Sequence, residues 1–333
     1  MGENNGNPGE FGWIGQIRQQ FNGLVPPGME GIGDDCAVVP IGDGQSLVVT
    51  TDLLIENVHF VPDKISAVDL GYKSLAVNLS DVAAMGAEPI GSFLSIGLPK
   101  GIGSDWRDAF LSGYKALSTE FRVPLLGGDT TAAEKLTVNV TALGKIPDAC
   151  IKRRSGAKPG DLICVTGNLG DSAAGLRFVL NGNTGTPDEK ALIRAHCRPK
   201  PYVEAGKWLA QQEAVHAMMD VSDGIASDLV HVLEESGVSA RVELSHLPMS
   251  GTLKNACTRN GWNPEELAVS GGEDYVLLFA VDPQEFEAID NNYKVLFGAD
   301  LTAIGQIIEG RPVVSWERNG NPVEANWNGF SHF

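Results

Sequence analysis

The stretch LAVNLSDVAAMG, Leu75 to Gly86, is small and apolar almost throughout, yet it carries Asn78, Ser80 and Asp81 near its centre. At helical period Leu75, Leu79 and Val82 form one stripe and Ser74, Asn78 and Asp81 an adjacent one, with Gly86 and Pro89 as stop signals. The spacing predicts a packed helix with a single polar stripe. An uncompensated buried carboxylate is costly and drifts towards its protonated form. Asp81 is therefore exposed, paired with a neighbouring Lys or Arg, or part of a site that neutralises it.

Outward from this helix the pattern alternates. CAVVPIGDGQSLVVTTD, Cys36 to Asp52, reads as two strands around a Gly-Asp-Gly turn. Helical periodicity spans about Ala67 to Met85 and Asp105 to Phe121, with short strands GSFLSIGL, PLLGGDT and LTVNVTALG between and after. The first half is α/β. A Gly/Pro/basic connector, Ile146 to Asp161, marks a boundary, predicting domains over residues 1–148 and 149–333. Beyond it LICVTG is a buried strand running into NLGDSAAGLRFVL, which opens a helix. Helices over about Tyr202 to Gln212 and Ser222 to Ser236 then alternate with strands ARVEL, YVLLFAV, LTAIGQI and RPVVSWE. The second half is α/β as well.

Composition narrows the function. The 333 residues are 43% hydrophobic and 20% charged, enough for about two globular domains. The formal charge of −17 argues against a nucleic-acid backbone or an anionic membrane as partner. No run approaches a membrane span, and MGENNGNPGEFGW lacks the basic-then-apolar order of a leader. Cys36, Cys150, Cys164, Cys197 and Cys257 are odd in number and without CxxC spacing, so a reduced, cytoplasmic setting is expected.

Acids recur at element ends and beside glycines: Asp34 and Asp35 in GIGDDCA, Asp52 in TTD, Asp81, Asp129 in GGDTT, Asp220 and Asp223 in MDVSDG, Glu273 and Asp274 in GGEDY. Any one could be a turn former or a helix cap. Several follow a strand directly, where open α/β sheets place their ligands, and together they point to a shared carboxylate site. Oxygen donors of this kind suit Mg²⁺, which prefers one or two carboxylates with waters and phosphate oxygens, so a phosphorylated substrate is implied. The chain has no GxxxxGK[ST], no GxGxxG opening a helix, no kinase-like HRD or DFG, and no GxSxG. His59, in the apolar NVHFVP, is a candidate ligand-contacting residue or a satisfied core histidine.

GIGDDCAVV, TTDLLIENVHF, KSLAVNLSDVAAMGAEP, LLGGDTT, RRSGAKPGDLICVTGNLGDSAAGL, DVSDGIASDL and SGGEDYVLLF stand in the order and spacing of bacterial thiamine-monophosphate kinases. The chain resembles that family, similar in architecture to aminoimidazole ribonucleotide synthetases and selenophosphate synthetases, from about Gly9 to the terminal FSHF. The resemblance implies two α/β domains of the aminoimidazole ribonucleotide synthetase-like type, in a homodimer whose N-terminal sheets pair into a barrel. It implies transfer of the γ-phosphoryl group of ATP to thiamine monophosphate, assisted by several Mg²⁺ ions. Carried over motif by motif, Asp35, Thr50, Thr51, Asp52, Asp81, Asp129, Asp220 and Asp223 are the expected metal ligands, with Asp81, Asp129, Asp220 and Asp223 carrying the catalytic role. Gly128, Asp129, Arg154 and Ser222 are expected at ATP, and His59, Glu273 and a C-terminal aromatic at the thiamine substrate. One block departs from the pattern: the aromatic before the terminal motif is Phe330, followed by Ser331, which leaves stacking but no side-chain hydrogen bond, with Trp327 as the alternative. A related ATP-using enzyme with another small phosphorylated or oxyanionic substrate is the nearest rival. A non-catalytic cation-binding module is the more distant one.

Overall fold

The computed structural model describes residues 9–182, 185–324 and 327–330. In chain order the first half runs α1 (Glu10–Phe21), β1 (Ala37–Gly42), β2 (Gln45–Ile55), α2 (Ala67–Ala84), β3 (Glu88–Leu98), α3 (Ser104–Glu120), β4 (Leu125–Ala132) and β5 (Thr137–Pro147). The second runs β6 (Leu162–Val165), α4 (Asp171–Asn181), α5 (Pro187–Cys197), α6 (Val203–Ala210), β7 (Val215–Asp220), α7 (Ile225–Ser236) and β8 (Ser239–Glu243). It continues through α8 (Gly251–Asn260), α9 (Pro264–Ser270), β9 (Leu277–Val281), α10 (Phe286–Phe297), β10 (Thr302–Ile308), β11 (Val314–Arg318) and β12 (Asn321–Pro322).

Each half builds one sheet. The first has five strands in the order β1-β2-β5-β3-β4, antiparallel except for the parallel β3/β4 pair. The second has seven, in the order β12-β11-β8-β10-β6-β9-β7, with only β11/β8 parallel. The first sheet is open, with β1 and β4 at its edges, so the described residues of one chain form no closed barrel.

Helix α2 is the hinge of this arrangement. Ser66 caps it by accepting the Asp69 N–H at 3.0 Å, and nearly every later position is buried. It lies on the first sheet and touches β7 and α6 of the second half, so Leu70, Leu75 and Leu79 share one apolar cluster with Leu209, Met218 and Phe279. Helix α3 crosses α2 through two glycines: a Cβ on Gly71 would strike the carbonyl of Phe110, and one on Gly113 would strike that of Val68. Only hydrogens allow the backbones to approach this closely.

Two boundaries differ from the sequence pattern. Helix α7 starts at Ile225 rather than Ser222, because Gly224 turns at φ +102° and the buried Asp228 carboxylate accepts the N–H groups of Asp223 (3.1 Å) and Gly224 (3.0 Å). Strand β9 begins at Leu277 because Glu273 and Tyr275 both have left-handed φ. Helix α5, which carries His196, lies in a segment the periodicity left unassigned. Among the described residues no helix is long and apolar enough to cross a membrane.

Candidate functional site

The polar stripe of α2 meets the acids where the two halves touch. Asp81 accepts the Thr50 hydroxyl at 2.5 Å, and its neighbour Ser80 donates to Asp220 at 2.5 Å, at the end of β7. Asp35, from the turn before β1, completes a group in which one carboxylate oxygen of each of Asp35, Asp81 and Asp220 lies within 4.8 Å of the others. Asn78 accepts the backbone N–H of Asp52 through its side-chain oxygen at 3.2 Å and donates to the Ser74 carbonyl at 3.1 Å, which fixes β2 against α2.

Electrostatics show a site short of positive charge. Burial, with Asp52, Asp220 and Asp35 close by, pushes Asp81 well above the ordinary carboxylate range. Burial and then Asp35 push Asp220 up to about 8, and burial holds Asp52 at about 6. Arg154 supplies one fixed cation, its Nη2 2.7 Å from Asp35 Oδ1, while its backbone N–H donates to Asp34 at 2.6 Å. Two buried atoms here find no hydrogen-bond partner among the described residues: Oδ2 of Asp35 and Nε of Arg154. An orphaned acceptor among crowded carboxylates and a threonine hydroxyl is a donor set that fits a hard divalent cation.

The other expected ligands separate by strand parity. Thr50 and Asp52 face α2, whereas Thr51 points to the opposite side of the sheet, among Asn139 (3.0 Å) and Thr141 (3.1 Å). Asp129 is exposed on the edge strand β4; the register Leu53–Asn139–Ser95–Asp129 sets it on Thr51's face. Gly128 and Asp129 line a separate groove of about 570 Å³ with Trp106 and Arg107. Gly128 (φ +151°) leaves no room for a Cβ against Leu94. Within one chain the structure thus brings Asp35, Thr50, Asp52, Asp81, Asp220 and Arg154 together, and leaves Thr51, Gly128 and Asp129 apart.

Beside the cluster opens a cavity of about 710 Å³ between the halves, reached by Asp52, His59, Ser222, Asp223, Glu273 and Phe330. His59 Nδ1 accepts the Ile55 N–H at 3.0 Å, so the ring's proton sits on Nε2 when neutral. Phe330, half exposed, lines this space; Trp327 instead packs edge-on against Trp316 at 5.3 Å. Residues 331–333, the rest of the terminal motif, lie outside the described residues.

Sequence reasoning missed three side chains here. Lys73, 1% exposed, places Nζ 2.7 Å from Oε1 of Glu273; His196 places Nδ1 3.1 Å from Oε2 and the same from Ser172 Oγ. Asp228 supports the Ser222–Gly224 turn. For His196 a signal existed: TPDE, Thr186 to Glu189, forms a capping box with Pro187 at the first position of α5. Burial opposes ionisation of Glu273, but Lys73 and His196 outweigh it and hold the carboxylate below its usual range.

Known proteins share this frame. The AIR synthase related protein N-terminal domain family matches residues 33–146 and the corresponding C-terminal domain family residues 158–317. A Salmonella typhimurium thiamine-monophosphate kinase is 40% identical, with 98% of each chain covered. The structure of AaThiL complexed with AMPPCP and TMP has a TM-score of 0.85 at 34% identity, covering 98% of this chain and 97% of that one. The thiamine-monophosphate kinase of Stenotrophomonas maltophilia has a TM-score of 0.77 at 37% identity, covering 94% and 98%.

Proposed function

This chain belongs to the AIR synthase related family, among its thiamine-monophosphate kinases, and we infer that it phosphorylates thiamine monophosphate with ATP, giving thiamine diphosphate and ADP. The observation that carries the reading is full-length relatedness to chains of that name, one of which, AaThiL, is complexed with AMPPCP and TMP. The geometry adds its chemistry: a cavity lined by Asp52 and Asp223, next to the aspartate cluster, and by the carboxylate Glu273 suits a molecule with a phosphate at one end and a cation at the other.

The acceptor is a phosphate monoester with a second pKa of about 6, already a nucleophilic dianion near neutrality. No general base is needed to create it. The obstacle is repulsion, about 4 kcal/mol for each pair of unit charges at about 4 Å and an effective dielectric of about 20. Asp35, Asp81 and Asp220, with Thr50, Asp52 and Asp223, would hold Mg²⁺, which would supply the charge that offsets the two phosphate groups. Arg154, paired with Asp35, has a buried Nε without a partner among the described residues and would serve as a donor for a phosphate oxygen. Ser222 and Asp223 sit on the turn where nucleotide and acceptor would meet, with His59 and Phe330 along the acceptor's rings.

We further propose that two chains pair through the first sheet. Leu53 and Phe93 are exposed on the face opposite α2, with Leu125 and Leu126 exposed on the edge strand β4, more apolar surface than a one-sided sheet ordinarily leaves to water. A second copy there would close the barrel, and would give Thr51 and Asp129 a role the single chain does not. We also propose the boundary between the halves after residue 148 and a cytoplasmic setting, which the five free cysteines suit.

The test is release of ADP from ATP and Mg²⁺ with thiamine monophosphate, free thiamine or no acceptor. ADP formed only with the monophosphate, and stopped by EDTA, is the expected result. Turnover with free thiamine, or none with the monophosphate, would overturn the reading.

A further inference from the structure

The anionic wall of the cavity is gripped from both halves of the molecule. Glu273 holds a left-handed φ of +64°, a conformation that a residue with a β-carbon keeps only where its surroundings fix it. Its N–H donates to the Ser222 carbonyl at 2.7 Å, tying it to the turn that carries Asp223. Its two carboxylate oxygens are taken separately, Oε1 by Lys73 of α2 and Oε2 by His196 of α5. Nδ1 of His196 lies 3.1 Å from both Oε2 and Ser172 Oγ, and with its proton on that nitrogen the imidazole donates towards the carboxylate, which can only accept.

This arrangement is poorly explained by stability alone. A buried ion pair gains little over apolar side chains of the same volume, while Lys73 left without its anion would be a heavy burden. Glu273 is not sealed in the core with Lys73: 27% of its side chain stays exposed, and it lines the cavity. A carboxylate has about four lone-pair sites, so two remain once Lys73 and His196 are served. On α2, Lys73 precedes Asp81 by eight positions on one rigid element.

Resting on the thiamine-monophosphate reading, we propose that Lys73 and His196 are positioning residues for the acceptor. They set the Glu273 carboxylate so that its remaining lone pairs face the cationic rings, and α2 links that contact to the aspartate cluster. Neither is a catalytic residue. Both act through Glu273, on acceptor binding and not on phosphoryl transfer.

The experiment is steady-state kinetics of Lys73→Met, His196→Asn, Glu273→Gln and the His196→Asn/Glu273→Gln pair, with each variant's unfolding temperature measured alongside. Lys73→Met and His196→Asn should raise the KM for thiamine monophosphate about tenfold, with kcat and the KM for ATP within about twofold of wild type. In the Glu273→Gln background His196→Asn should add nothing, since its effect passes through that carboxylate. An unchanged acceptor KM, an equal rise in the KM for ATP, or full additivity in the double variant overturns the proposal. Should Lys73→Met fail to fold, the cycle at His196 and Glu273 decides alone. A wild-type protein that turns over no thiamine monophosphate would refute the functional reading instead. Calorimetric binding of thiamine itself to wild type and His196→Asn would then still judge the positioning role, with equal affinities counting against it.

Discussion

Replacing Asp220 by Asn should make the metal-free protein more stable while destroying its activity. Asp220 is 2% exposed, and its carboxylate lies within 4.8 Å of those of Asp35 and Asp81. Two unit charges at that separation repel by about 3.5 kcal/mol at an effective dielectric of about 20. Part of this is already relieved, because Ser80 donates to Asp220 and Arg154 stands nearby, while burial and Asp35 push the group up to about 8, towards its neutral form. The amide keeps an oxygen for Ser80 and carries no charge, so a gain of about 1–2 kcal/mol in EDTA follows from the partial relief. Unfolding should shift upward by a few degrees. Magnesium should reverse the order: at about a hundredfold excess over its dissociation constant, wild type gains about 2.7 kcal/mol by linkage, and the variant much less. Scanning calorimetry in EDTA and in Mg²⁺, with ADP release measured in parallel, reads both effects. The reasoning fails if Asp220→Asn is clearly less stable than wild type in EDTA, or if Mg²⁺ stabilises both proteins equally.

Three further outcomes test separate parts of the structure. Burial lowers His196 from 6.5 to about 4, so the unfolded chain takes the proton first and stability is lost as pH falls from about 6.5 to about 4, by about 3 kcal/mol in all; His196→Asn should lack this loss when urea unfolding at pH 7 and pH 4.5 is compared. Asp228→Ala leaves the Asp223 and Gly224 N–H groups without their acceptor and should cost about 1–3 kcal/mol; it should also raise the KM for ATP, which Asp228→Asn should do less. Gly113→Ala drives a methyl group into the Val68 carbonyl and should destabilise by about 1–3 kcal/mol, seen as a lower Tm with the kinetics of the folded fraction unchanged.

The site's acids were legible because of where they stand. Asp52 lies within β2, Asp220 ends β7, and Asp35 and Asp81 sit in a glycine turn and on a polar stripe, so local pattern alone picks them out. What parity and partners decide was not legible. Thr50 and Thr51 are adjacent in sequence, yet one faces Asp81 and the other the far side of the sheet. Lys73 looks from sequence like a side chain that carries its charge out to water, yet in the fold it is 1% exposed and paired with Glu273. Its partner Glu273 lies far along the chain in a loop whose left-handed residues no helical or strand period announces. The helix boundaries of α2 and α3 fell within a residue or two of expectation, since their apolar stripes run for several turns.

The position of Lys73 and Asp81 on one helix gives the site a measure of length as well as charge. Eight residues at about 1.5 Å each set them about 12 Å apart along α2. Glu273 is held at the first end and the aspartate cluster at the second. A ligand satisfying both must fit a cation and a phosphate inside that span, with Glu273 at one end and the carboxylates at the other taking up part of it. Free thiamine meets only the first condition, and its hydroxyl would have to lose a proton before attacking phosphorus. A phosphorylated thiazole without the positive ring meets only the second. Discrimination should therefore divide between the ends: removing the phosphate should abolish turnover, whereas removing the ring charge should weaken acceptor binding and leave kcat largely intact. If the neutral phosphate ester matched thiamine monophosphate in KM, Glu273 would not be reading charge, and the cation end of this two-point measure would be wrong.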